Sequence, residues 1–282
     1  MKTIAIICGG DSSEHDVSMR SAAGIESFID NEKYKTYTVE IQAGLWEAIM
    51  PDGSRTAVDK NNFTFLNEEG QEIRPDFCYI TIHGTPGENG VLQGYLDLIR
   101  MPYSTSGVLV EALTFNKFAL NNYLRAYPEL HISDSLLIRK GEVLPSIESM
   151  VERVGLPCFV KPNAGGSSFG VTKVKEANEL VTAIEKAMCE SDEVMVEREM
   201  VGTEITCGCY KKGEEIVTFP ITEVVTTQEF FDYDAKYNGK VEEITPARIA
   251  EETARRVSET TRRIYQVLDC YGIIRIDDIL SG

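Results

Sequence analysis

The sequence predicts an α/β protein that opens on an open-sheet domain and continues into a mixed α+β part, and three observations carry that reading. Thr3–Cys8 is apolar and β-branched, closes on Gly9-Gly10 and leads into a helix-like stretch that runs to about Phe28. Phe77–Ile82 repeats the arrangement, passing through the glycine-rich loop 83–90 into a helix over Val91–Ile99. Beyond Gly107 the texture changes to short strands and helices without such units. Strand–glycine loop–helix units build open α/β sheets, in which ligands sit at the carboxyl ends of the strands.

Taken in order, Ser13 followed three residues later by Asp16 predicts a capping box at the first helix. Asn116–Tyr127 and Ser146–Val154 read as helices, Cys158–Val160 as a short strand, Val171–Val174 as its return and Ala177–Cys189 as a helix. Val194–Glu197, Thr203–Tyr210 and Glu215–Ile221 are three further strands. Thr226–Lys240 is a long polar and aromatic loop of the kind that carries function. Thr245-Pro246 is expected to start a long helix to about Cys270, since proline suits a first turn. Ile273–Asp277 is a final strand, apolar enough on to Ile279 to be expected buried within a sheet.

The chain has 282 residues, 43% hydrophobic and 26% charged, with net charge −17. That size allows two or three compact units. The acidic balance argues against a nucleic-acid binder, and a nucleotide would need lysines, arginines and a divalent metal gathered locally. No apolar run approaches the ~20 residues of a membrane span. The start, Met1-Lys2-Thr3, lacks the apolar core and small-residue cleavage site of a signal peptide. Seven scattered cysteines without C-x-x-C spacing fit free thiols in a reducing cytoplasm and not a zinc site.

Five clusters carry chemistry. Lys161 through Gly170 brings a lysine on an apolar strand into a run of glycines and serines, where backbone N–H groups approach an anion closely and the lysine adds charge. By itself Gly-Gly-Ser-Ser is equally a flexible hairpin loop; the lysine raises the stakes because, once buried, it needs a charged partner. His83 with Glu88, and Glu14-His15-Asp16, each sit just past a strand end, although the latter also reads as the acidic first turn of a helix. Phe230–Tyr237 is aromatic and charged without a period, and Arg275 and Asp277 share one face of the last strand.

In this order the pieces closely resemble the D-alanine–D-alanine ligases of the ATP-grasp superfamily, over nearly the whole chain. The motifs are Gly-Gly-x-Ser-Ser-Glu-His-Asp-Val-Ser at 9–18, His-Gly-x-x-Gly-Glu-x-Gly at 83–90 and Tyr-Ser-Thr-Ser-Gly at 103–107. Val-Lys-Pro with Gly-Ser-Ser-x-Gly follows at 160–170, then Asp-Tyr-Asp-Ala-Lys-Tyr at 232–237 and Arg-Ile-Asp at 275–277. The resemblance implies an open-sheet substrate-binding domain over 1–106, a central ATP-grasp domain over 107–193 and a C-terminal ATP-grasp domain over 194–282, with nucleotide between the last two. It implies ATP-dependent joining of two D-alanines through an acyl phosphate, feeding peptidoglycan precursor synthesis, with Mg²⁺ or Mn²⁺ and as a homodimer. Lys117 and Lys161 would hold ATP phosphates under a lid at Ser167 and Ser168. Glu197 would meet the adenine amino group, Glu204 the ribose hydroxyls, and Lys236 the nucleotide, with Tyr237 closing its loop over the site. Glu14 would bind the ammonium of the first D-alanine near His83, Arg275 would steady the developing oxyanion and Asp277 would ligate magnesium. Glu197 and Glu204 also read as solvated edge carboxylates, and Lys117 as a helix-surface lysine.

The sequence stops at Ser281-Gly282, ahead of the family's further Glu-x-Asn metal pair and Pro-Gly loop, so the expectation is that the ATP-grasp part lacks its C-terminal end here, either because the natural gene continues for a few tens of residues or because the tail is missing from this chain. A sibling ligase using D-lactate or D-serine, and a nucleotide-binding protein impaired in catalysis, remain as alternatives; Tyr237 after Lys236 leans to the dipeptide-forming members.

Overall fold

The computed structural model describes residues 1–166, 170–226 and 241–281. The chain forms two compact units, Met1–Ala112 with Cys270–Gly272, and Leu113–Asp269 with Ile273–Gly282.

In the first unit β1 (Lys2–Gly9) lies between β2 (Tyr34–Gln42) and β7 (Phe77–Ile80) and runs parallel to both. Strands β3 (Leu45–Ile49) and β4 (Arg55–Ala57) extend the sheet antiparallel on the β2 side, giving the order β4-β3-β2-β1-β7. A central strand flanked by parallel neighbours is covered on both faces, which is why Ala5–Cys8 is an unbroken apolar run at 0% exposure. One face packs Ile7, Val39 and Ile41 against Leu92 and Leu96 of α2 (Val91–Leu98). The other packs Ile6 and Cys8 against Ala22 and Ile25 of α1 (His15–Phe28). A two-stranded ribbon, β5 (Phe65–Leu66) and β6 (Glu72–Ile73), completes the strands of this unit, and α3 (Val108–Phe115) leads out of it.

The second unit begins with α4 (Lys117–Leu124) and holds two antiparallel sheets. The first has the order β10-β9-β11-β8, from β8 (Ser135–Arg139), β9 (Cys158–Pro162), β10 (Thr172–Val174) and β11 (Glu193–Arg198). Helices α5 (Ile147–Val154) and α6 (Leu180–Ala187) bury Met150, Val154, Leu180 and Ile184 against Val160, Val174, Val194 and Val196 on one face. The 193/194 division expected from the sequence falls inside β11. In the second sheet β12 (Thr203–Lys212) pairs with β16 (Ile273–Leu280) along its length, and with β13 (Glu215–Thr218) and β14 (Thr222–Thr226) on its other side. β15 (Val241–Ile244) joins β14, and α7 (Glu251–Val267) covers one face through Val257.

Three expectations need correction. No capping box forms at Ser13 and Asp16: Glu14 occupies the N-cap position, and the hydroxyl at the turn is that of Ser12, which accepts from Glu14 N at 3.2 Å. Pro246 does not start the long helix, which begins at Glu251 behind Ala250, leaving Thr245-Pro246 in the preceding turn. β16 is half-buried, not buried, with Ile273, Arg275 and Asp277 exposed in alternation and β12 its one strand neighbour among the described residues. None of the seven cysteines is in a disulfide; six are buried and Cys189 is exposed.

Candidate active site

The loops bearing Glu14 and His83 meet beyond the carboxyl ends of β1 and β7. The ladder ends there, so the loop backbones need other partners, and short hydroxyls supply them. Ser12 Oγ donates to His83 O at 2.7 Å, Ser18 Oγ accepts from Gly9 N at 3.0 Å and donates to Thr81 O at 2.7 Å, and Asp11 N donates to Thr85 O at 2.8 Å. Gly10, at φ 96°, has no room for a Cβ, which would lie 2.6 Å from Ile82 Cγ2. The loop approach therefore depends on glycine there. Glu88 closes the second loop by accepting from Gly84 N at 2.6 Å.

Beneath Glu14, His15 spans two carboxylates, Asp16 at 3.1 Å and Glu40 at 3.0 Å, and Arg55 pairs with Glu40 at 2.6 Å. The hydrogen bond to Asp16 outweighs burial and, with Glu40, raises the His15 pKa. Burial opposes ionisation of Glu40, but the Arg55 guanidinium and the bond from His15 win and hold its carboxyl below its ordinary value. On α3, burial and the neighbouring Glu88 carboxylate push Glu111 up to about 8.

In the second unit Lys161 finds the charged partner that its strand position demanded. Its Nζ donates to Glu197 Oε2 at 2.6 Å, with exposures of 24% and 17% for the two side chains. The register sets Lys161 opposite Met195 and Glu197 opposite Phe159, so the two charges are diagonal neighbours on one sheet face, within reach of long side chains. Asn121 Nδ2 donates to the other oxygen of Glu197 at 2.9 Å. Lys117 Nζ donates to Gly165 O at 2.6 Å, bringing it to the glycine-rich segment. Fully buried Asn163 joins the two lysine-bearing elements: its Oδ1 accepts from Phe118 N at 2.9 Å, and its Nδ2 donates to Asn116 Oδ1 at 3.0 Å and Glu193 Oε2 at 2.7 Å.

Glu204, Arg275 and Asp277 lie on one face of the second sheet, since Thr206 is opposite Asp277 and Gly208 opposite Arg275. Arg275 Nε donates to Asp277 Oδ1 at 3.0 Å and Nη2 to Oδ2 at 3.2 Å. Asp278 turns to the opposite face, where burial first and Asp277 second raise its pKa. Asp277 rather than Asp278 therefore belongs to the face bearing Glu204. No group of three or more His, Cys, Asp or Glu able to hold a metal occurs among the described residues. Ser167, Ser168, Lys236 and Tyr237, with the 227–240 loop, lie outside the described residues.

Sequence reasoning did not single out Ser12, Ser18, Glu40, Asn121 or Asn163. Ser12, Ser18 and Asn163 stand inside the quoted motif segments, and Asn121 follows Lys117 at i+4 on one helix face, a readable signal. Glu40 carried none, because only the fold brings β2 beside α1.

Fold and site together define an ATP-grasp ligase. Residues 3–106 match the family described as D-ala D-ala ligase N-terminus and residues 133–281 the one described as D-ala D-ala ligase C-terminus. The chain belongs to the D-alanine–D-alanine ligase family. It is 58% identical to the D-alanine–D-alanine ligase of Phocaeicola vulgatus and 59% to that of Bacteroides fragilis, each over 99% of this chain and 86% of the relative. Among solved structures it resembles the VanG D-Ala:D-Ser ligase of Enterococcus faecalis, at TM-score 0.86 and 28% identity over 100% of this chain and 87% of that one. It also resembles the ATP complex of the Bacillus anthracis D-alanine–D-alanine ligase, at TM-score 0.76 and 26% identity over 100% and 83%. No helix among the described residues is long and apolar enough to cross a membrane.

Proposed function

We infer that the protein joins two D-alanine molecules to D-alanyl-D-alanine at the expense of ATP, in the cytoplasm. The observation that carries the nucleotide part is the Lys161–Glu197 pair, which sets a cation and an oriented carboxylate on one sheet face beside a glycine-rich segment. Lys117 and Lys161 hold phosphate oxygens, Glu197 accepts from the adenine amino group, and Glu204 accepts from ribose hydroxyls. Ser167, Ser168, Lys236 and Tyr237 complete the enclosure. Residues 1–106 serve as the amino-acid domain and 107–193 and 194–282 as the two parts of the nucleotide-binding half.

A carboxylate resists attack by an amine because oxide is a poor leaving group. Transfer of the γ-phosphoryl group to the first D-alanine makes an acyl phosphate, and the second amine displaces phosphate through a tetrahedral intermediate. Positioning and charge neutralisation do most of this work. Glu14 fixes the first ammonium beside His83, and Arg275 offers guanidinium N–H groups to the oxyanion. Asp277 is a single carboxylate of the hard-oxygen type that suits magnesium, which binds through one or two carboxylates plus substrate phosphates. When bound, magnesium neutralises phosphate charge. The acyl phosphate hydrolyses in water, so the serine segment and the 226–240 loop exclude solvent. The reading includes a homodimer, which light scattering checks.

The test is phosphate release from ATP by the product of the full reading frame, with D-alanine, D-lactate or D-serine offered as second substrate. Release with D-alanine and dipeptide as product is expected; ATP binding without D-alanine-dependent release would overturn the reading.

A further inference from the structure

Glu14 and His83 account for the two strand-end loops, but His15 and Asp16 of the same motif have no part in the chemistry above. His15 is the first residue of α1, directly after Glu14, and is 20% exposed. Its ring packs on Gly9, where an added Cβ would lie 3.4 Å from His15 Cδ2, 3.2 Å from Glu40 Cγ and 2.7 Å from Ile41 O. Its two nitrogens reach carboxylates on two different elements, Asp16 on α1 and Glu40 on β2. Glu40, 12% exposed, is held in turn by Arg55 of β4, which also reaches Glu47 of β3 at 3.0 Å. The Arg55 contact at Glu40 Oε2 is charge to charge, without hydrogen-bond alignment. A chain of charges thus runs from two antiparallel strands of the sheet, through β2, to the first turn of α1.

We propose that His15 is the positioning residue for Glu14, pinning the first turn of α1 to Glu40 so that the ammonium-binding carboxylate keeps its place at the end of β1. The proposal rests on the reading of Glu14 given above.

Only the imidazolium can donate from both nitrogens; neutral imidazole has one N–H and must release one carboxylate. The groups facing the ring are Asp16 from α1 and Glu40 from β2, with Arg55 from β4, Glu47 from β3 and the Cys8 thiol of β1 around Glu40. Both carboxylates on the ring favour its charged form. The clamp is therefore complete below the ordinary histidine range and is lost as pH rises through the raised value.

The experiment measures kcat and the KM values for D-alanine at its first site and for ATP in the full chain, from about pH 6 to about pH 9, across the histidine range. Wild type, His15→Gln, Glu40→Gln and Glu14→Gln are compared. In wild type the D-alanine KM should rise with pH while the ATP KM stays flat. His15→Gln should raise the D-alanine KM roughly tenfold at the acid end, as for one lost charge-assisted bond, and remove the step. Glu40→Gln, which keeps an acceptor and loses the charge, should move the step to lower pH. A histidine of purely structural use would lower stability and leave the pH step in place. If Glu14→Gln raises the D-alanine KM but His15→Gln keeps the wild-type KM and profile, the proposal is overturned and the Glu14 reading stands. If Glu14→Gln leaves the KM unmoved, that reading falls and the proposal with it. Should His15→Gln fail to fold, an unshifted step in Glu40→Gln overturns the proposal.

Discussion

In the first unit the loops bearing Glu14 and His83 are tied by neutral hydrogen bonds from Ser12 and Ser18 to backbone groups past the ends of parallel strands. In the second, Lys161 and Glu197 hold each other across an antiparallel pair, with Asn121 and Asn163 fixing what surrounds them. Parallel strands finish side by side, so their loops meet and unpaired backbone groups accumulate there; a short hydroxyl satisfies them at little entropic cost. An antiparallel sheet face instead sets long side chains diagonally opposite, where a cation and a carboxylate can pair before any ligand arrives. The loop junction of the first region is organised around backbone, with its charges gathered behind it at His15 and Glu40, whereas the Lys161 face of the second is organised around charge.

If charge governs the second region, Lys161→Met should do the most. It keeps the stem and removes the cation, and ATP affinity should fall by roughly a hundredfold, about 2.7 kcal/mol, read by nucleotide titration of a protein with native circular dichroism. Wild-type ATP affinity would break the contrast. Asn163→Ala strips partners from Phe118 N, Asn116 Oδ1 and Glu193 Oε2 at a fully buried position, and a loss of about 2 kcal/mol in urea unfolding is expected. Ser18→Ala tests the other side: it orphans Gly9 N and Thr81 O and should cost about 1–2 kcal/mol, with little dependence on salt because no ion pair is lost. A strong salt dependence would count against the backbone account of that region.

The smallest effect expected concerns Glu111, the half-buried carboxyl near Glu88. Its folded pKa of about 8 lies above the unfolded value near 4.5, so the folded state holds the proton more tightly. Stability is then full at low pH and falls as pH rises from the unfolded value to about 8, levelling off above it. Glu111→Gln should flatten that slope and gain about 1 kcal/mol at alkaline pH, a figure reduced for residual solvent access. Urea midpoints on the acid and alkaline sides of the range decide it; parallel slopes in both proteins would refute it.

Where local pattern and tertiary environment agreed, elements were legible: β1, α1, α2, β9 and β12 lie close to where apolar runs, glycines and caps put them. The strictly alternating β2, with Tyr37, Val39 and Ile41 buried, carried a readable signal that the motif-centred reading passed over. β8 carries no glycine loop or motif, and α3 begins just past the 103–107 motif without a helix signal of its own. The capping box failed because the helix starts one residue later than the Ser13–Asp16 spacing requires, at His15 behind Glu14, after a loop that Ser12 ties to His83 across the sheet.

The sequence by itself carried the class of this protein through six motifs whose order resembles the D-alanine–D-alanine ligases, since each motif is a local feature that survives in the chain without reference to the fold. It also determined that Lys161 needed an anionic partner, because an amine leaving water must keep its charge compensated. Only the tertiary structure decided that the partner is Glu197, 36 positions further along, and that Asn121 shares it. It likewise decided that Glu40 rather than a neighbour in sequence supports His15. Pairing across strands is set by register and sheet order, which depend on burying one continuous core and not on any single segment.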